Sequence, residues 1–187
     1  MLNYTQEQKT IFELIKDGSG NILVNACAGS GKTTTIVQAL NYIPKDKNVL
    51  LLAFNRHIAK ELKNKVNADV DVMTLHTIGF NCLKYHYKEP ILDNEKYIKL
   101  INKVYKNIPD KSVFLNIINI IRKRNLDENL FKSDIEVFNY FQPFNLSVNL
   151  DLLKKAFQVI KIGSFALTSI DFIDMLYIPI NKKLKTL

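Results

Sequence analysis

The sequence predicts an α/β fold with a parallel sheet, joined to a long stretch that is helical throughout. Three observations predict it. Short strand-like runs at residues 22–25, 49–54 and 70–74, the second of them continuously apolar, are each followed by a helical pattern. Alternation of that kind builds a parallel sheet covered on both faces. The first strand-to-helix joint holds a loop of small residues ending in Gly31-Lys32-Thr33. From residue 94 to about 162 the pattern is only helical, with breaks at Pro109, around 125–129 and at Pro143.

The elements follow in order. A helix over 6–16 has Ile11, Phe12, Leu14 and Ile15 on its apolar side and Thr5 as its cap. Asp17-Gly18-Ser19-Gly20 ends it. Residues 22–25 read as a buried strand, 33–42 as the helix after the loop, and 44–47 as a turn. A second strand covers 49–54, and Asn55 caps a helix running to about 66. A third strand over 70–74 leads into a helix over 75–87. The texture changes at Lys88-Glu89-Pro90. The run 113–121 is apolar on more than one face, which places it inside a small helical bundle. Thr168-Ser169-Ile170-Asp171 reads as a capping box opening a helix through Tyr177, stopped before Pro179. The expected organisation is an α/β part over 1–88, a helical subdomain over 89–165 and a return to the first part over 166–187.

Bulk properties exclude several classes. A chain of 187 residues with 47% hydrophobic and 24% charged residues supports a packed core and argues against intrinsic disorder. No apolar run approaches the ~20 residues a membrane span requires, and the N-terminus lacks the basic-then-apolar order of a signal peptide. Cys27 and Cys82 have no metal-ligand spacing, which argues against a zinc site or a disulfide framework and fits a reducing compartment. The net charge of +8 fits a polyanionic partner. A Lys-, Asn- and Ile-rich composition accounts for the same surplus without a function, and arginine is confined to Arg56, Arg122 and Arg124.

The loop Ala26-Cys27-Ala28-Gly29-Ser30-Gly31-Lys32-Thr33 is a phosphate-binding loop with Ala26 at the first glycine position. Small residues let the backbone curl so that successive N–H groups point at phosphate oxygens. Gly29, Ser30 and Gly31 supply that freedom, and the following helix adds its positive end. Lys32 reaches the β- and γ-phosphates, and Thr33 offers its hydroxyl to Mg²⁺. Ala28, Gly29, Ser30, Gly31, Lys32, Thr33 and Thr34 are the expected nucleotide contacts. Lys32 and Thr33 are the expected catalytic pair, Thr33 the metal ligand, and ATP with Mg²⁺ the expected cofactor.

Three further patterns, with this loop, resemble the UvrD/Rep-type superfamily-one DNA helicases. Tyr4-Thr5-Gln6-Glu7-Gln8 is similar to the family's Q motif, which implies that the Gln8 amide reads the adenine edge. The family's phosphate loop commonly begins with Ala, as Ala26 does here. The segment from Leu52 to Leu62 resembles motif Ia, which implies contacts of Phe54, Asn55 and Arg56 with single-stranded DNA; many members have Thr where Asn55 stands. Val72-Met73-Thr74-Leu75-His76-Thr77 resembles motif Ib, which implies that Thr74 and His76 lie at the DNA backbone. The stretch 169–179 is similar to a segment in the branch holding the F-box DNA helicases and viral relatives, where its Asp residues are expected to cap and solubilise a helix. The resemblance implies a RecA-like parallel sheet with an inserted all-helical subdomain, forming an incomplete first helicase domain. It implies stepping along single-stranded DNA in the 3′-to-5′ direction in the intact enzyme. It also implies an intracellular setting, either the cytoplasm of a bacterial or virus-infected cell or a eukaryotic nucleus.

Hydrolysis also needs an Asp-Glu pair at a strand end to hold the metal and position water. The only such pair, Asp127-Glu128, follows Arg122-Lys123-Arg124-Asn125 and is no strand end. The expected function is therefore the N-terminal portion of an ATP-dependent DNA helicase or translocase. It binds ATP-Mg and single-stranded DNA, hydrolyses little alone, and works with the missing C-terminal helicase domains or a partner chain. The alternative is a non-catalytic nucleotide- and DNA-binding module acting with a partner. A small-molecule P-loop kinase is a third idea; it needs lid arginines, for which the helical region offers Arg122 and Arg124.

Overall fold

The computed structural model describes residues 3–185, which fall into two compact units divided between Thr74 and Leu75. The fold is mixed α/β, with small parallel sheets and many helices.

In the first unit, helix α1 (Gln6–Asp17) begins with a complete capping box: Gln8 N–H donates to Thr5 Oγ1, and Thr5 N–H donates to Gln8 Oε1. It ends at Gly18, whose left-handed φ of 68° lets its N–H turn back to Leu14 O. Phe12 is the buried anchor of α1. Tyr42 stacks on its ring at 4.7 Å, and Tyr4 meets its edge at 5.0 Å. Helix α2 (Lys32–Ala39) runs into a 3₁₀ turn at Leu40–Tyr42. Strand β1 (Leu50–Ala53) pairs in parallel with β2 (Asp71–Thr74), in a register from Leu50 opposite Asp71 to Ala53 opposite Thr74. Between them lies α3 (Arg56–Lys63), capped by Asn55 as expected.

The strand expected at 22–25 is not formed. Residues 21–27 have irregular backbone, and Leu23 is 96% exposed. A strand exists only through hydrogen bonds to a neighbour, and among the described residues nothing pairs with this segment. Its apolarity is suited to a central sheet position, but apolarity alone supplies no partner.

The second unit is predominantly helical. It comprises α4 (Leu75–Tyr87), β3 (Ile91–Leu92), α5 (Lys96–Val104), α6 (Lys111–Arg124), α7 (Asp134–Phe141), α8 (Leu150–Phe165), β4 (Ser169–Ile170) and α9 (Asp174–Asn181). Helix α6 is its core, as its all-round apolarity predicts: Phe114, Ile117, Ile118 and Ile121 are buried against Val137, Phe141, Leu153 and Val159. Asp110 caps α6 through the amides of Ser112 and Val113, and Asn125 closes it in a left-handed conformation. The two-residue strands β3 and β4 pair in parallel and are too short to leave an alternating pattern.

The end of the chain departs from expectation in three ways. Residues 169–170 join β4 rather than a helical first turn, so the capping box at 168–171 does not form. Helix α9 starts at Asp174, whose N–H is accepted by Asp171 Oδ1 at 2.8 Å. Asp171 and Asp174 are buried, not solubilising. Finally, Pro179 lies inside α9 instead of ending it. Proline has no N–H to return to the carbonyl four residues back, here Met175. Gly79 of α4 packs against that carbonyl so closely that a Cβ on it would stand 1.8 Å from Met175 O.

Candidate nucleotide and strand-binding sites

The phosphate loop is built by two left-handed glycines. Gly29 has φ 78° and Gly31 has φ 83°, values that a side chain strains. Ala26 has no positive φ, so its methyl at the usual first-glycine position costs no backbone strain. Gly31 is the residue before α2, and the first turn of that helix faces the loop without a side-chain cap. Among the described residues no protein acceptor takes the amides of Gly29, Gly31, Lys32 or Thr33. Ser30 N–H is turned weakly to Cys27 O at 3.3 Å. The result is a row of main-chain donors with a helix end behind them, an arrangement that suits an anion. The Lys32 ammonium donates to Ala26 O at 2.9 Å and Cys27 O at 2.6 Å, holding the two ends of the loop together. Thr33 and Thr34 are exposed on the first turn of α2. A cavity of about 760 Å³ runs from this loop along α1, α2 and β1. Gln8, Ala26, Ser30, Lys32 and Thr35 line it with polar groups and small residues, and Ile11, Val24, Ile36 and Leu51 line its apolar part.

Gln8 belongs to the same constellation. Besides its capping bond, its Nε2 donates to Thr35 Oγ1 at 2.9 Å, and Thr35 Oγ1 donates to Gly31 O at 3.0 Å. This relay ties the start of α1 to the loop through α2. Thr35, its middle member, was not singled out from sequence, because nothing local marks it apart from its neighbours Thr33 and Thr34. A carboxamide has two N–H donors and two acceptor lone pairs. The two bonds to Thr5 and Thr35 leave Gln8 one of each, which is what an adenine edge requires.

The donor set therefore fits a triphosphate: main-chain amides, an ammonium group and a hydroxyl on a helix first turn. Among the described residues no group of three or more His, Cys, Asp or Glu side chains is assembled to hold a metal, so Thr33 is the protein's candidate ligand for a metal brought in with the nucleotide.

The residue pattern of the UvrD/REP helicase N-terminal domain matches residues 4–182. The chain belongs to that family. It is also similar to a stretch of an ATP-dependent helicase/nuclease protein of Lactobacillus gasseri, with 35% identity over 75 residues. That match covers 37% of this chain and 6% of the relative, so the chain spans a small fraction of the relative's length. No helix among the described residues of this UvrD/REP-family domain is long and apolar enough to cross a membrane.

The remaining residues singled out in this UvrD/REP-family chain lie on both units. In the first, Phe54 follows β1 and is 94% exposed, so it is not a core residue at a strand end. Asn55 accepts from Ile58 N–H at 2.9 Å, which commits its side-chain oxygen to capping α3. Arg56 is exposed on the first turn of α3, and Thr74 is buried at the end of β2. In the second unit, His76 on α4 stacks face to face on Phe172, with ring centroids 3.8 Å apart and planes 16° from parallel. Phe172 is 52% exposed. Sequence reasoning passed over it; the only signal was an aromatic residue between two aspartates.

Burial under that stack holds the His76 pKa below its ordinary value of 6.5. Protonation then costs the folded state. The corresponding stability is present above pH 6.5 and is lost as the pH falls through the lower folded-state value. The His76 ring resonances are expected to titrate with a midpoint below 6.5, and Phe172→Ala to raise it. A midpoint at or above 6.5 in the parent chain contradicts this.

Proposed function

We propose that this chain is the ATP-binding portion of a UvrD/REP-type DNA helicase or translocase, which grips the nucleotide through its phosphate loop and contacts single-stranded DNA. The observation that carries the reading is the loop itself: left-handed Gly29 and Gly31, main-chain donors from Gly29 to Thr33, and Lys32 poised across them. Lys32 leaves the Ala26 and Cys27 carbonyls for the β- and γ-phosphates, Thr33 meets the metal, and Gln8 meets adenine. Mg-ATP, when bound, would supply the phosphoryl group. The β1–β2 pair and the apolar segment 21–25 are parts of a RecA-like sheet that further strands complete.

Hydrolysis by this chain alone is expected to be near background. Asp127 and Glu128 are exposed on a turn where Asp127 Oδ1 accepts from Asn129 N–H, not at a strand end where a metal and a water meet. Phosphate release should stay near background with and without an oligonucleotide; robust DNA-stimulated turnover would overturn this part of the reading. The kinase alternative loses one of its two candidate lid arginines, since Arg122 is buried and ion-paired, while Arg124 is exposed.

The strand contacts are assigned to Phe54, Asn55, Arg56 and Thr74 in the first unit and, separately, to His76 in the second, to which we add Phe172. An exposed aromatic ring beside exposed cationic side chains is what a single strand stacks on. Stacking of one base on an aromatic side chain is worth ~1–3 kcal/mol, so Phe54→Ala should weaken oligothymidylate binding roughly 5- to 150-fold by fluorescence anisotropy. A change under about twofold would remove Phe54 from the path.

A further inference from the structure

We infer that Arg122 is a positioning residue for single-strand binding: it fastens the turn that presents Phe172 to a base. The inference rests on the proposed function, because it assumes that the Phe172–His76 pair meets the strand.

Asp171 and Asp174 bracket Phe172, and both are fixed by one guanidinium. Arg122 Nη1 donates to Asp171 Oδ1 at 2.8 Å and to Asp174 Oδ1 at 3.0 Å, and Nη2 donates to Asp171 Oδ2 at 2.7 Å. Asp174 also accepts from Lys96 Nζ at 2.7 Å and Tyr97 Oη at 3.0 Å. The guanidinium lies 3.6 Å from the centre of the Tyr97 ring. Room for that ring comes from Gly163 of α8, where a Cβ would stand 2.6 Å from Tyr97 Oη. Burial together with the Asp174 carboxylate pushes the Tyr97 hydroxyl far above its ordinary range, so it stays a donor.

A helix start needs only one cap, and Asp171 supplies it to Asp174 N–H. Two buried carboxylates and two buried cations exceed that need, and burying charge is costly even when it is paired. Nor is the cluster perfected as a stabilising network: among the described residues Arg122 Nε is buried without an acceptor. What the cluster does accomplish is geometric. Both ends of the turn are pinned to α5 and α6, and the one large side chain it leaves half-exposed is Phe172, flat on His76. Pinning removes the conformational freedom that binding would otherwise have to freeze out.

Arg122→Lys keeps the charge but loses the planar fork that spans both aspartates. The test uses the full chain and two readouts, the ring-current positions of the His76 side-chain protons by NMR and the affinity for oligothymidylate. In Arg122→Lys the His76 protons should move toward their positions in Phe172→Ala. Affinity should fall about tenfold, as in Phe172→Ala, and the double variant should bind no more weakly than Phe172→Ala alone. Unmoved His76 protons, parent-like affinity where Phe172→Ala is impaired, or losses that add in the double variant would each overturn the inference. If Arg122→Lys does not fold, Asp171→Asn decides by the same readouts, since it keeps the side-chain volume and an acceptor for Asp174 N–H but not the charged pair. If Phe172→Ala binds oligothymidylate like the parent, the strand contact at Phe172 falls, while the His76 protons still decide whether Arg122 sets the stack.

Discussion

Lys32→Ala is expected to abolish measurable ATP binding by this chain. Its ammonium is held at the loop, where it donates to Ala26 O and Cys27 O. It therefore acts twice. It draws the ends of the loop together, and under the proposed function it also offers charge-assisted hydrogen bonds to the phosphates. One hydrogen bond to a charged group is worth ~1.5–3 kcal/mol, so losing two such contacts predicts a fall in affinity of roughly 10²-fold or more. Titration calorimetry with Mg-ATP reads this directly. An unchanged Kd would mean that the phosphates sit elsewhere.

The largest stability effect is expected at Gly79. A methyl there would stand 1.8 Å from Met175 O and 2.8 Å from Met175 C, both backbone atoms of α9. Neither can move aside as a side-chain tip would, so α4 and α9 must separate, and Ile178 and Leu83, buried beside them, lose packing. Overpacking costs ~1–3 kcal/mol where side chains can yield. Against rigid backbone the upper end or beyond is expected, so Gly79→Ala should destabilise the chain by about 3 kcal/mol or more in urea denaturation. Asn81→Ala, on the exposed face of the same helix, serves as the control and should change stability by less than about 0.5 kcal/mol. A cost under about 1 kcal/mol for Gly79→Ala would refute the close approach.

The same contact shows why some features were legible in the sequence and others were not. The geometry of the loop at 26–33 was legible because it is contained in eight consecutive residues, and its two left-handed positions are both glycine. The caps at Thr5 and Asn55 act within three residues of themselves. The family pattern could be read because its motifs are short and occur in order. Features that depend on distant residues were hidden. Residues 22–25 look like a strand, but a strand needs a partner from elsewhere in space, and none of the described residues pairs with this segment. Asp171 looks like no more than a cap because its guanidinium partner lies 49 residues away, on a helix that reads as apolar core. Pro179 looks like a helix stop, yet it sits within α9, where the carbonyl it leaves without its N–H faces Gly79, 96 positions earlier in the numbering of this chain. Phe172 was overlooked for a related reason: its exposure and its partner His76 are both products of the folded second unit.

The central claim is that main-chain amides between Gly29 and Thr33 receive a triphosphate. Amide-resolved NMR during a titration with Mg-ATP tests it most directly. The account predicts that the largest shifts fall on Gly29, Gly31, Lys32 and Thr33, with smaller shifts at Gln8 and Thr35. Saturating nucleotide that leaves those amides unmoved, or that moves a different part of the chain, would contradict it.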